Sequence, residues 1–240
     1  MLRYQFAVSS MGTSFDPQQS AEFDQHAGGY DDMHRASIKA SGEDPEYFAI
    51  YKQHVVERLL GPGFERPVLD FGCGIGNLTK FLVGSFPAVE GYDPSSESAR
   101  LAAERAPGAK FYDSTDAIPR GKYGAVIIAN VLHHVPPAER PALLATIAEL
   151  LAPGGRVVIF EHNPLNPVTR RAVAACPFDD NAVLLWPSEV KSLLRGAGLS
   201  SIELDYIVFF PRALSGLRSL EPKLAWLPFG AQVCGWGSKL

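Results

Sequence analysis

Val68-Leu69-Asp70-Phe71-Gly72-Cys73-Gly74-Ile75-Gly76-Asn77 decides how this chain of 240 residues is read. A short apolar run enters three alternating glycines, and a helical pattern opens behind them over Asn77–Val83. Glycines at such a bend let backbone approach a ligand and adopt torsions that other residues avoid. The N–H groups that open a helix favour an anionic or polar group. A dinucleotide fingerprint needs G-x-G-x-x-G, but the position three after Gly74 is Asn77. The pattern is D-x-G-x-G-x-G, and its leading acid repels a pyrophosphate while suiting an ammonium group.

Outward from that loop the chain alternates. Ala88–Tyr92 reads as a strand, and the Asp93-Pro94 that follows puts an acid where ribose hydroxyls are bound about one strand later. A ligand with an amino-acid end and a ribose satisfies both acids; S-adenosylmethionine fits and NAD fits poorly. Ser95–Ala106 reads as a helix capped by Ser95 or Ser96, Lys110–Tyr112 as a short strand and Ala125–Ala129 as a buried strand. Ala138–Leu151 is an amphipathic helix ended by Pro153-Gly154-Gly155, and Arg156–Phe160 is the next strand. Upstream, Tyr47, Phe48, Tyr51, Val55 and Leu59 keep helical spacing from Pro45 to the stop at Gly61-Pro62-Gly63. Downstream, a helix around Ser188–Arg195 precedes two strand-like runs, Ser201–Phe210 and Ala231–Lys239, which suggest an antiparallel pair at one end of the sheet. Strands separated by helix-length segments imply right-handed βαβ units and a mainly parallel sheet.

Composition narrows the class. Twenty-two basic and 26 acidic residues give a formal net charge of −4, which argues against a protein built to grip nucleic-acid backbones. Apolar residues make up 46%, enough for a full core. The longest apolar runs are strand-sized, so no membrane span is expected, and no secretory signal pattern opens the chain. Cys73, Cys176 and Cys234 lie far apart with no CxxC, CxxH or HExxH spacing, so a reduced, cytoplasmic protein without a structural metal is expected.

The glycine loop, Asp93, the segment Ala129-Asn130-Val131-Leu132-His133-His134-Val135 and Leu151-Ala152-Pro153-Gly154-Gly155 together resemble the class I S-adenosylmethionine-dependent methyltransferases. The likeness is greatest to the small-molecule branch that includes ubiquinone and menaquinone methylases, and it covers residues 23–210. It implies a Rossmann-like α/β three-layer sandwich with a seven-stranded, mostly parallel sheet, its last strand antiparallel, and an N-terminal helical cap. Residues 1–22 are expected to form a loose arm and 23–240 a single methyltransferase domain.

The resemblance implies that Gly72, Gly74 and Gly76, with Cys73 between them, line the methionine end of the cofactor. Asp70 then lies near the ammonium, Asp93 on the ribose with Pro94 beside it, and Asp113 and Ser114 by the adenine. Asn130 and His133 close the pocket. The tyrosine of Phe23–Tyr30 is expected at the cofactor carboxylate, with Lys52 a further candidate there. His133, His134 and His162 are candidate general bases with Glu161 as an orienting partner; alternatively one of His133 and His134 is pocket wall and the other faces solvent, and Glu161 or Asn163 caps the next helix. Cys176–Asp180 is read as part of a lid and Tyr206, Phe209, Phe210 and Arg212 as acceptor wall. The expected reaction is methyl transfer to an O or N atom of a small molecule in natural-product or glycan biosynthesis. A macromolecular acceptor, a non-catalytic cofactor-binding partner protein and a nicotinamide-dependent oxidoreductase are the rival readings, and the oligomeric state is left open.

Overall fold

The computed structural model describes residues 35–179 and 181–240. The expected loose arm and the segment Phe23–Tyr30 lie outside them. Helix α1 (Pro45–Leu60) starts on a proline, whose missing N–H would have no partner in a first turn anyway, and stops at Gly61. After it come β1 (Val68–Phe71), α2 (Thr79–Ser85), β2 (Val89–Tyr92), α3 (Ser96–Arg105) and β3 (Lys110–Tyr112). Ser95 is the cap of α3, its Oγ accepting from the Ser98 N–H at 3.0 Å. The second half holds β4 (Tyr123–Ala129), α4 (Arg140–Leu150), β5 (Leu151–His162), α5 (Pro167–Ala174), α6 (Pro187–Gly196), β6 (Ser200–Ile207), α7 (Glu221–Leu224) and β7 (Gln232–Ser238).

The seven strands are ordered β3-β2-β1-β4-β5-β7-β6. Those from β1 to β5 pair in parallel, and β7 runs antiparallel to both β5 and β6. This is the expected Rossmann-like sandwich. After β3 the chain returns to the far side of β1, so a switch point opens at the carboxyl ends of β1 and β4, the crevice where open α/β sheets hold ligands.

Strand alternation sorts the core. Leu69, Phe71, Val126, Ile128, Val157 and Ile159 pack with α4 and α6, while Val68, Ala125, Ile127, Val158 and Phe160 pack with α1 and α2. Each such side chain contributes about 1.5–3 kcal/mol of burial. Asp70 shares its face with Val68, so it meets α1 and α2 as the strand runs out.

Three element boundaries differ from the sequence reading. Pro153-Gly154-Gly155 falls inside β5, as a register shift in which Tyr123 pairs with Leu151 and Ala125 with Arg156. The freed carbonyls of Ala148 and Leu151 accept from Lys239 Nζ at 2.8 and 2.9 Å, which lets α4 run straight into a strand. The connection between β6 and β7 is a 3₁₀ run, Arg212–Leu220, followed by α7. The helix cap after β5 is Asn166, which accepts from the Val168 and Thr169 N–H groups, rather than Glu161 or Asn163. No helix among the described residues is long and apolar enough to cross a membrane.

Candidate active site

A cavity of about 490 Å³ lies over the switch point. Its cofactor-like half is walled by Lys52, Asp70, Gly72, Cys73, Gly74, Asp93, Pro94 and Asn130, all singled out from sequence. Gly72 turns at φ +75°, and a Cβ there would stand 2.4 Å from Val131 Cγ2. Gly74 turns at φ +52°, and a Cβ there would meet nothing within 4 Å. The first glycine lets two segments touch and the second leaves room.

Asp93 braces this bend: one carboxylate oxygen accepts from the Gly74 N–H at 2.8 Å and the other from the Ser95 N–H at 3.0 Å. Asp70 is 1% exposed and accepts from Thr79 Oγ1 at 2.7 Å. Burial lifts its carboxyl to about 6, the Thr79 hydrogen bond working the other way. Burial lowers the Lys52 ammonium to about 8, against the pull of Glu161 and Asp70. Asn130 takes a left-handed φ of +59°, and its Oδ1 is buried without a partner among the described residues. Burial drives the Cys73 thiol well above its ordinary value, in keeping with a packing role.

Three predicted positions lie outside the wall, and Glu161, the expected orienting partner, lies beneath it. Gly76 is no part of the wall; a Cβ there would press on Ala102 at 3.0–3.1 Å, so it serves the contact with α3. Asp113 and Ser114 are exposed and outside the wall, because β3 is a three-residue edge strand whose end stands on the rim. Glu161 is fully buried beneath the wall. Tyr30 lies outside the described residues.

The opposite wall carries the histidines. A 3₁₀ turn, Leu132–His134, follows β4, and His162 ends β5. Glu161 accepts from the Val131 and Leu132 N–H groups at 3.1 and 2.7 Å and from His133 Nδ1 at 2.6 Å. That bond orients the His133 ring so that Nε2 is turned toward Asp179. Asp179 Oδ1 lies 3.5 Å from both His133 Nε2 and His134 Nε2. Burial disfavours charge on His133, but Glu161 and Asp179 outweigh it and hold the ring at about 9. Burial and the His133 charge push His134 down to about 4 and His162 to about 3.

Beyond them an aromatic wall of Tyr47, Phe48, Phe209 and Phe210 closes the cavity, while Tyr206 and Arg212 stand off it. Glu221, which the sequence reading passed over, accepts from the N–H groups of Phe209 and Phe210 at 3.1 Å each and from the Tyr51 hydroxyl at 2.5 Å. Arg218 covers the Tyr47 ring at 4.2 Å and pairs with Glu43. Arg140 was missed as well: its Nη2 donates to the Val183 carbonyl at 2.6 Å and its Nη1 pairs with Glu189 at 2.7 Å. Neither residue belongs to a motif; only the pairing of distant segments reveals them.

A carboxylate-braced glycine bend at the switch point of this sheet defines a class I methyltransferase site. A methyltransferase-domain family model matches residues 44–204. Trans-aconitate 2-methyltransferase of Mycobacterium tuberculosis is 30% identical over 211 residues, covering 79% of this chain and 78% of that protein. An uncharacterized methyltransferase, YrrT of Halobacillus halophilus, is 30% identical over 145 residues; the match takes in 58% of this chain and 64% of the relative, under two thirds of its length. A SAM-dependent methyltransferase structure from Archaeoglobus fulgidus shares the fold with a TM-score of 0.65 at 16% identity, over 84% of this chain and 97% of that one. The chain belongs to the S-adenosylmethionine-dependent methyltransferases.

Proposed function

We propose that the chain methylates an O or N atom of a small, largely uncharged molecule, of the natural-product or glycan-intermediate kind. The observation that carries this is the composition of this cavity's wall: a carboxylate-braced glycine bend on one side, and three imidazoles with an aromatic face on the other. The walls carry one lysine and no arginine among the described residues, a poor match to a tricarboxylate such as the substrate named for the mycobacterial relative.

The chain's residues fit the cofactor. Gly74 leaves the space a Cβ would fill, and Asn130 Oδ1 is an acceptor in want of a donor. Asp70 would meet the ammonium, Lys52 the carboxylate and Asp93 the ribose hydroxyls, each Asp93 oxygen standing at the cavity wall beside the bend it braces. When bound, S-adenosylmethionine supplies an electrophilic methyl on a sulfonium.

What remains for the protein is alignment. Holding two reactants in line contributes roughly 7–11 kcal/mol in the best intramolecular models. The aromatic wall orients the acceptor, and His134 and His162, held neutral by burial, face it as hydrogen-bond partners. Glu161 touches no part of the cavity and acts as a positioning residue through His133.

Calorimetry with S-adenosylhomocysteine and with NAD tests the cofactor, and release of S-adenosylhomocysteine on incubation with hydroxyl- and amine-bearing aromatics or glycosides tests the acceptor. Binding of the first ligand only, with product released, is expected. Tight binding of NAD instead, or turnover confined to polycarboxylates, refutes the reading.

A further inference from the structure

His133 Nε2, His134 Nε2 and Asp179 Oδ1 meet at the cavity wall, their ligand atoms all within 4.8 Å of one another. Both imidazole-to-carboxylate separations are 3.5 Å, beyond a good hydrogen bond. These two edges are close to that of a tetrahedron around a transition ion, where bonds of about 2.1 Å give ligand–ligand edges of about 3.4 Å, and the third edge is no longer than 4.8 Å. All three residues line the cavity.

The supports around the three groups are those a metal centre needs. Glu161 holds His133 Nδ1 at 2.6 Å, the carboxylate–histidine arrangement that aims Nε2 at an ion. The His133 carbonyl is held by the Val183 N–H at 2.8 Å, and Asp179 ends a 3₁₀ turn, Pro177–Asp179, whose last N–H donates to Cys176 at 2.9 Å. His133 is 1% exposed, so its fixed orientation is enforced by packing as well. Two imidazoles and one carboxylate suit zinc, cobalt, nickel or ferrous iron, and do not suit the all-oxygen preference of magnesium or calcium.

The geometry points to a divalent transition-metal site formed by His133, His134 and Asp179, with an open position facing the acceptor. This rests on the reading of the cavity as a methyltransferase site and deepens it. An acceptor hydroxyl bound at the open position would be polarised and fixed in register with the glycine bend. His162, whose ring centre lies 5.1 Å from that of His133, would remain beside it as a neutral imidazole.

The test uses the whole chain, stripped with a chelator and then titrated with zinc by calorimetry and with cobalt by visible absorption. One equivalent should bind in the micromolar range or tighter, with cobalt ligand-field bands of a low-symmetry site. Asp179→Asn and His134→Ala should each lower the bound metal at least tenfold, while His54→Ala, at an exposed histidine of α1, should leave it unchanged. Circular dichroism and S-adenosylhomocysteine affinity on the same samples report whether the variants fold. Absence of a bound equivalent in the unaltered chain, with S-adenosylhomocysteine still bound, overturns the metal site alone. Metal retained in both variants also overturns it. Loss of S-adenosylhomocysteine binding by the unaltered chain refutes the methyltransferase reading instead.

Discussion

Asp70 carries an unusual obligation for a carboxylate. Burial holds it at about 6, although Thr79 donates to it, so near neutrality it is only narrowly ionised. An arriving ammonium group needs the ionised form. Where the free carboxyl is protonated, binding must first expel that proton, so affinity declines as pH drops through 6, by about tenfold per unit. The folded state itself behaves oppositely. A carboxyl raised from 3.8 to about 6 costs stability as pH rises across that interval, and the cost is complete above it. Binding of S-adenosylhomocysteine should therefore be level above about pH 7 and weaken on the acid side, while intrinsic stability is not lost in step. Asp70→Asn should bind more weakly at pH 7 and lose the acid slope. Calorimetry from pH 5 to 7.5 on both proteins measures this, and an unchanged slope in the variant would assign the proton to another group. Asp93 permits a second expectation. It braces Gly74 and Ser95 through backbone N–H groups, so Asp93→Ala should weaken the cofactor by at least tenfold and raise its KM. An unaltered KM would remove Asp93 from the ribose.

At the scale of the element, the bend between β1 and α2 was legible because its chemistry is local: an apolar run, alternating glycines and an acid at a fixed offset. The same locality explains what was misread. Gly76 looks like its neighbours in sequence, but its lack of a side chain serves the contact with Ala102 of α3. Asp113 and Ser114 followed the right strand, yet β3 is too short to carry its end over the cavity. The cap of helix α5 is misplaced in the sequence reading because Asn166 is preceded by the similar Asn163, whose side chain instead donates to the carbonyls of Pro228 and Gly230. Two substitutions separate the functions of the glycines. Gly72→Ala meets both a left-handed torsion and Val131 Cγ2 at 2.4 Å, so it should destabilise by about 2–5 kcal/mol, strain and overpacking adding. Gly74→Ala meets only the torsion, about 1–2 kcal/mol, but its methyl enters the cavity. Denaturant unfolding should show the larger loss for Gly72→Ala, and Gly74→Ala should lose cofactor affinity out of proportion to its stability. Equal losses of both kinds would mean that the bend acts as one packed unit.

For the whole molecule, a mainly parallel sheet could be expected from alternating patterns, whereas the closing of the acceptor wall could not. Histidines after β4, Asp179 and the chain around Val183 are far apart in sequence, and a search for short ligand spacings passes over what they form together. Arg140 joins them. It is 1% exposed, and its guanidinium donates to the carbonyls of Val135 and Val183 at 3.0 and 2.6 Å while pairing with Glu189 of α6 at 2.7 Å. Val183 in turn holds the carbonyl of His133. Removing the guanidinium would strand the buried carbonyl of Val135 and release the more exposed Val183 carbonyl and Glu189 carboxylate, and leaving one buried acceptor unsatisfied costs about 1–3 kcal/mol. Arg140→Ala should lose that much in denaturant unfolding, and Arg140→Lys should recover only part, because an ammonium cannot present the same fork to three acceptors. The cofactor half of the cavity stands on β1 and β2, outside this network. In Arg140→Lys, turnover should therefore fall at least tenfold with S-adenosylhomocysteine affinity changed less than threefold. A parallel loss of both would show that the sheet transmits the damage, and that the two halves of the cavity are a single cooperative structure.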